Sequence, residues 1–214
     1  MEHKIFYLMG KSAAGKDTVY EELLQDEELD LVPLIPYTTR PIREAEQDGV
    51  DYHFTDEEGY RKLAEAGKVI EMREYQTVLG PWKYYTVDDG TLDFAQADIL
   101  AIGTLESYRK LSDYYGPGRV IPLYIEVEDG IRLGRALKRE LKPGNHKYEE
   151  MCRRFLADQK DFSEEKLAEA GIEKRFNNDD ERETCIEEIR SFIRDIQEEG
   201  KEGLNVGISG YLRT

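Results

Sequence analysis

Cysteine is nearly absent from this chain. Cys152 and Cys185 are the two in 214 residues, and their separation fits neither a metal-ligand spacing nor a disulfide framework, so both are read as reduced thiols. Long apolar runs are missing too. No stretch approaches the ~20 apolar residues that a membrane helix needs. The start, Met1-Glu2-His3-Lys4, lacks the apolar segment of a signal peptide, and the expectation is a soluble cytoplasmic protein. Positive charge is in deficit: 30 Lys and Arg face 46 Asp and Glu, a formal net charge of -16. Long-range repulsion on that scale argues against nucleic-acid and anionic-membrane partners, and an anionic substrate then needs a local basic site. Internal repeats and low-complexity tracts are absent.

What is present is an ordinary 39% hydrophobic content with 36% charged residues. At this length the chain buries a full core, and one domain with insertions is expected. The most informative stretch is Gly10-Lys11-Ser12-Ala13-Ala14-Gly15-Lys16-Asp17-Thr18. It follows the apolar run Ile5–Met9, which reads as a buried strand, and precedes Val19-Tyr20-Glu21-Glu22-Leu23-Leu24, which reads as a helix. A strand, a Gly-x4-Gly-Lys loop and a helix start together describe a phosphate-binding P-loop. Its backbone N–H groups and the helix dipole attract polyphosphate, and Lys16 adds a cation. The pattern expects Ser or Thr after the lysine, and here the residue is Asp17.

Further on, Leu31–Tyr37 is a short apolar strand interrupted by prolines, hence an edge strand or an early stop. Residues 38–87 read as an insertion of turns and short alternating runs, with a helix over Gly59–Gly67 and a strand at Val69–Met72. Ala97–Gly103 returns to a buried-strand pattern, then a helix over Leu105–Tyr115 and a strand over Val120–Ile125. Strands separated by helices indicate βαβ units and a parallel sheet. A basic helix over Ile131–Leu141, a breaker at Pro143-Gly144-Asn145 and one long helix from about Tyr148 to Ala170 follow. Lys174–Asn177 reads as a last strand, and Glu181–Glu199 as an amphipathic helix. From Gly200 on the chain reads as a loose tail.

From Ile131 to Arg154 there are eight Lys or Arg and three acids. Arg132, Arg135 and Arg139 fall on one helical face, and guanidinium forks suit phosphate oxygens. The breaker beside them makes this segment a candidate lid. A second basic constellation, Thr38-Thr39-Arg40-Pro41-Ile42-Arg43, leads into Asp48-Gly49-Val50-Asp51-Tyr52-His53-Phe54. Two arginines three apart, restrained by proline, with a tyrosine hydroxyl beyond, suit a second and smaller anion.

In order, the P-loop, the Thr-Thr-Arg-Pro-Ile-Arg segment, Asp-Gly-Val-Asp-Tyr-His-Phe, Ile70-Glu71, Tyr84-Tyr85-Thr86, the basic segment and Asn178-Asp179-Asp180 resemble the guanylate kinases over about residues 4–195. The resemblance implies an α/β fold: a P-loop kinase core with a parallel sheet flanked by helices, an inserted GMP-binding subdomain and a helical lid. It divides the chain into a core of residues 1–37, 88–130 and 151–199, an insertion of 38–87, a lid of 131–150 and a flexible tail of 200–214. The implied activity is phosphoryl transfer from ATP to GMP with Mg²⁺. The implied ATP site is Gly10, Ser12, Ala13, Ala14, Gly15, Lys16, Asp17 and Thr18. Arg40, Arg43, Tyr52 and Tyr84 would hold the GMP phosphate, Glu71 and Thr86 the guanine. Of the implied catalytic residues, Lys16 would bind the donor phosphates, and Arg135, Arg139 and Arg154 would neutralise charge during transfer.

Three departures from the family pattern fall at four positions. Pro36 stands where a serine contacts guanine, Ala101 and Gly103 replace two acids of a strand, and Asp17 replaces the P-loop hydroxyl residue. Asp17 is then a candidate metal-side carboxylate with Thr18 as the neighbouring hydroxyl. A carboxylate about 4 Å from a phosphate charge costs ~4 kcal/mol at an effective dielectric of 20, which calls for a cation or its waters between them. Two other readings share these features. The Gly-Lys-Asp loop and the strand ending in Gly also resemble ribose 1,5-bisphosphate phosphokinases, and a guanylate-kinase-like binding module would keep the site without turnover.

Overall fold

The computed structural model describes residues 3–77, 80–90, 97–116, 118–144 and 146–209. The expected breaker residue Asn145 and tail residues 210–214 lie outside these. In chain order the first elements are β1 (Ile5–Gly10), α1 (Lys16–Leu24), β2 (Leu31–Pro33), β3 (Tyr37–Thr38), β4 (His53–Phe54) and α2 (Glu57–Glu65). Then come β5 (Val69–Thr77), β6 (Gly80–Val87), β7 (Asp98–Gly103), α3 (Leu105–Tyr115) and β8 (Val120–Glu126). The chain continues with α4 (Asp129–Glu140), α5 (Tyr148–Asp161), α6 (Glu164–Glu169), β9 (Arg175–Asn177) and α7 (Arg182–Ser209).

All six residues of β1 are buried, as expected of a central parallel strand covered on both faces. It pairs in parallel with β7 on one side and β8 on the other, in the sheet order β2-β7-β1-β8-β9. Alternation divides its side chains between two cores. Phe6 and Leu8 pack with Leu100, Leu123, Val19 and Leu23, and with Cys185, Ile186, Ile189 and Ile193 of α7. Ile5, Tyr7 and Met9 face the opposite way, against Ile99, Leu105, Tyr108, Leu111 and Phe162. Each large side chain so buried contributes about 1.5–3 kcal/mol.

Residues 37–87 build a second sheet of order β4-β3-β6-β5. The expected short strand at Val69–Met72 is one arm of a longer hairpin, β5 with β6, whose second arm the tyrosine-rich sequence concealed. Tyr85 is fully buried and packs on Tyr37 and Tyr60, with ring centroids 5.5 and 5.0 Å away. These rings supply the core of a sheet that has little aliphatic content.

Two other elements depart from expectation. The helix expected over 148–170 breaks at Phe162-Ser163: Phe162 turns inward to stack on Tyr124, and the Ser163 side chain caps α6 by accepting from Lys166 N–H. α7 also does not stop at Gly200, where a tail is expected, but stays helical to Ser209. A glycine costs a helix only about 1 kcal/mol, less than the packed segment upstream contributes.

Cys185 is buried, and burial raises its thiol to about 11, whereas Cys152 is exposed on α5. The native protein should therefore react with an alkylating reagent at one thiol per chain, and at two after denaturation. Mass spectrometry of the labelled protein reads the count, and native labelling at Cys185 would contradict this packing.

Candidate active site

The loop at the end of β1 is held open by backbone geometry. Gly10 lies so close to β8 that a Cβ would stand 2.5 Å from the Ile125 carbonyl oxygen. Gly15 caps α1 at φ 91° with no side-chain acceptor for the helix amides, and Ala13 takes the left-handed conformation at φ 62°. The first-turn N–H groups are thereby left to an external anion. Asn178, buried beyond β9, donates from Nδ2 to Ala14 O at 2.8 Å and fastens the loop from behind. Lys16 Nζ lies 3.1 Å from Lys11 O. Burial lowers the Lys16 pKa, against the opposing pull of Asp17 and Asp158.

Arg132 is the clamp on this loop. It is 1% exposed, and its Nη1 donates to Ser12 O at 2.9 Å. Its Nε and Nη2 both reach Asp129 Oδ1, at 3.0 and 2.7 Å, and Nη1 reaches Asp158 Oδ2 at 3.2 Å. The guanidinium also lies over the Phe155 ring, 4.7 Å from its centroid. Asp158 in turn accepts the Ser12 N–H at 2.8 Å. Helix α5 thus places a carboxylate on a P-loop amide.

A second cluster lies where the hairpin meets the carboxyl end of β7. Glu71 and Thr86 are direct partners across β5 and β6, just after a register shift between Val69 and Glu71. Such an irregularity re-aims a side chain. Thr86 Oγ1 donates to Glu71 Oε1 at 2.9 Å, and Ser107 Oγ donates to Oε2 at 3.0 Å. Arg73, two residues along the same strand face, places Nε 3.3 Å from Oε2. Ser107 lies in the first turn of α3, so this contact ties the second sheet to the first.

The remaining acceptor-side expectations gather nearby. Arg40 is 3% exposed and forks onto Glu46, Nη1 to Oε2 at 2.9 Å and Nη2 to Oε1 at 2.7 Å. Its guanidinium lies 5.5 Å from the Tyr52 ring centroid, and Tyr52 meets Tyr84 edge-on at 5.7 Å. Arg40 Nε is buried without a partner among the described residues. Arg43 differs: its side chain is exposed, and its backbone N–H serves Glu46.

The arginines expected to act together are dispersed. Arg135 Nη2 donates to Asp179 O at 2.9 Å, Arg139 pairs with Glu140 at 3.5 Å, and Arg154 pairs with Glu150 at 2.7 Å. Arg132 and Arg139 share a helical face, but a rise of 1.5 Å per residue separates them by about 10 Å, so one is buried and the other exposed. Asp17 is exposed on the first turn of α1. Among the described residues no group of three or more His, Cys, Asp and Glu is arranged to hold a metal. Sequence reasoning missed Arg73, Ser107, Arg132 in its clamping role, and Asp158. Ser107 had a signal: Thr104 and Ser107 open a helix straight after a parallel strand, where ligands bind in open α/β sheets.

Central parallel strand, P-loop and inserted second sheet give a mixed α/β fold consistent with that of the P-loop kinases. The guanylate kinase family model matches residues 2–88. Guanylate kinase from Porphyromonas gingivalis is 29% identical over 197 residues, covering 89% of this chain and 96% of the relative. The enzyme from Enterococcus faecalis is 42% identical over 71 residues, 33% of this chain and 35% of the relative. The matched stretch thus spans about a third of the E. faecalis relative's length. The crystal structure of guanylate kinase from Anaplasma phagocytophilum superposes with a TM-score of 0.62 at 19% identity, covering 90% of this chain and 85% of that one. Over much of its length the chain is similar to guanylate kinases.

Because Arg132 is buried between two carboxylates and the loop carbonyl, Arg132→Met should destabilise the protein by up to about 3 kcal/mol in urea unfolding. The half-exposed Asp129 limits the cost. A change below about 0.5 kcal/mol would remove the clamp from the account.

Proposed function

We propose that this protein transfers a phosphoryl group from ATP to GMP, giving ADP and GDP, and that it does so in the cytoplasm. The observation that carries this reading is the buried Glu71 carboxylate, fixed by one hydroxyl from strand β6 and one from helix α3. Guanine presents N1–H and an amino group side by side as donors. A carboxylate has about four lone-pair sites and accepts both while keeping Thr86 and Ser107, once the longer Arg73 contact at 3.3 Å gives way. Adenine offers an acceptor at N1 and is mismatched, so the carboxylate discriminates through unpaired buried groups. Arg40, with its unpartnered Nε, and the Tyr52 and Tyr84 rings beside it suit the GMP phosphate.

Transfer in this reading is positioning and electrostatics, with no covalent intermediate. The first-turn amides of α1 and Lys16 hold the donor phosphates. An oxygen of the GMP phosphate attacks the γ-phosphorus, the bond from that phosphorus to the β–γ bridging oxygen breaks, and ADP leaves with the electron pair. Arg135 and Arg139 come over the transferring group when the 131–150 segment closes as a lid, and Arg154 approaches it from α5. Arg154 forms an exposed ion pair with Glu150, worth about 0–1 kcal/mol, so exchanging Glu150 for phosphate costs little; Arg139 is exposed, and its buried partner Glu140 keeps the Lys147 N–H when the arginine leaves. Mg²⁺ supplies charge neutralisation across the phosphate oxygens when bound. The residues to hold it are Asp17, exposed beside Lys16, and the Thr18 hydroxyl, oxygen donors of the type that ion takes alongside substrate phosphates.

A coupled assay of ADP formation with GMP, AMP, CMP, UMP and ribose 1,5-bisphosphate tests the reading, which expects turnover with GMP and with none of the others. Turnover with ribose 1,5-bisphosphate instead would overturn it. Lys16→Ala should lower kcat about 100-fold or more with unfolding unchanged, as loss of one preorganised charge stabiliser does; a near-normal rate would take the P-loop out of the mechanism. Glu71→Gln turns one acceptor oxygen into a donor facing guanine. It should raise the KM for GMP at least about 10-fold while leaving the KM for ATP unchanged.

A further inference from the structure

One face of the β5–β6 hairpin joins the base-reading and phosphate-reading ends of the acceptor site. Glu71, Arg73 and Tyr75 share that face of β5, and their direct partners on β6 are Thr86, Tyr84 and Trp82. Tyr84 is also the partner of Thr38 on β3. Its ring meets Tyr75 and Tyr52 edge-on, each at 5.7 Å between centroids, and Tyr52 in turn lies against Arg40. Arg73 therefore starts from the strand position opposite Tyr84, about 7 Å along β5 from Glu71. It has the carboxylate on its own strand and the Tyr84–Tyr52–Arg40 group across the hairpin.

The Arg73 guanidinium is only half committed. Its Nε donates to Glu71 Oε2 at 3.3 Å, the longest of the three contacts that this carboxylate makes. Among the described residues its Nη1 and Nη2 have no hydrogen-bond partner. The Arg73 side chain is 19% exposed against 1% for Glu71, so the arginine is the member of the pair that a ligand reaches from solvent. Arg40 is the reverse case. Both of its Nη groups are taken, by Glu46 and the Pro41 carbonyl. A phosphate dianion arriving here meets the like charges of Glu46 and Glu71, which repel it. On this face the cation with open donors is Arg73.

We propose that Arg73 binds the acceptor's phosphate and sets specificity jointly with Glu71: guanine's two donors displace Nε from the carboxylate, and the released guanidinium turns to the phosphate beside Tyr84. The inference rests on the GMP reading of the Glu71 site and adds a residue that reading leaves out. Guanidinium and phosphate match as a fork, and such charge-assisted bonds are about twice as strong as neutral ones. A base with an acceptor at N1 does not displace Nε. The arginine then stays on Glu71 and the phosphate loses its partner. Base and phosphate are read together, because both ends share one side chain.

Arg73→Gln removes the charge and the fork. It should raise the KM for GMP at least about 10-fold while leaving the KM for ATP unchanged. Guanosine, which has the base and no phosphate, is the control. Its Ki as a competitor of GMP should stay the same or fall, because Arg73 no longer contends for Glu71. A merely structural role would weaken GMP and guanosine alike. Arg73→Lys keeps a point charge without the fork and should raise the KM for GMP less, by about 3-fold; it carries the same test if Arg73→Gln does not fold. An unchanged KM for GMP in the folded variant, or guanosine weakened as much as GMP, overturns the inference. The GMP reading then stands if Glu71→Gln still raises that KM. A wild-type protein that does not phosphorylate GMP overturns both.

Discussion

The complete burial of β1 is the constraint on which the rest of the structure depends. A strand covered on both faces has no freedom of register, because a slip by one residue would exchange its two cores. That fixed register delivers Gly10 against the Ile125 carbonyl, which sets where the P-loop begins. It also aims Tyr7 along β7 toward Gly103. The P-loop and the side of the first sheet that faces the Glu71 cluster are therefore both located by one strand.

Around this strand, charge is handled locally rather than globally. The protein carries a net charge of -16 and still builds two basic centres, each governed by carboxylates. Arg132 sits between Asp129 and Asp158, and Arg40 is forked onto Glu46. In both places the acid holds the guanidinium in one geometry before any ligand arrives. Asp158 goes further by occupying the Ser12 N–H, so the loop amides are not uniformly unpaired in the absence of a nucleotide. Preorganisation of this kind spends ion-pair energy on position rather than on stability.

Much of this architecture was legible in the sequence. The P-loop followed from Gly10, Gly15 and Lys16 between an apolar run and an amphipathic one, and the helix over Leu105–Tyr115 matched its expected ends. Glu71 and Thr86 were expected near the base and stand paired across a hairpin. What the sequence concealed was pairing and depth. β6 is rich in tyrosine and has no aliphatic alternation to announce it. Arg132 and Arg139 look equivalent on a helical wheel, and only packing against Phe155 and the loop separates a buried clamp from an exposed cation. Tyr7 fills the space beside Gly103, 96 positions away, and that relation has no local signature, because it is a statement about volume.

The two cysteines carry one last consequence. Cys185 is sealed in the core on α7, whereas Cys152 lies exposed on α5, two residues from Arg154 and nearly two turns from Asp158. The natural chain therefore already holds a single addressable thiol on the helix that reaches the phosphate loop. A fluorophore attached there would report the movement of α5 in the unmutated protein, turning a compositional scarcity into a spectroscopic handle.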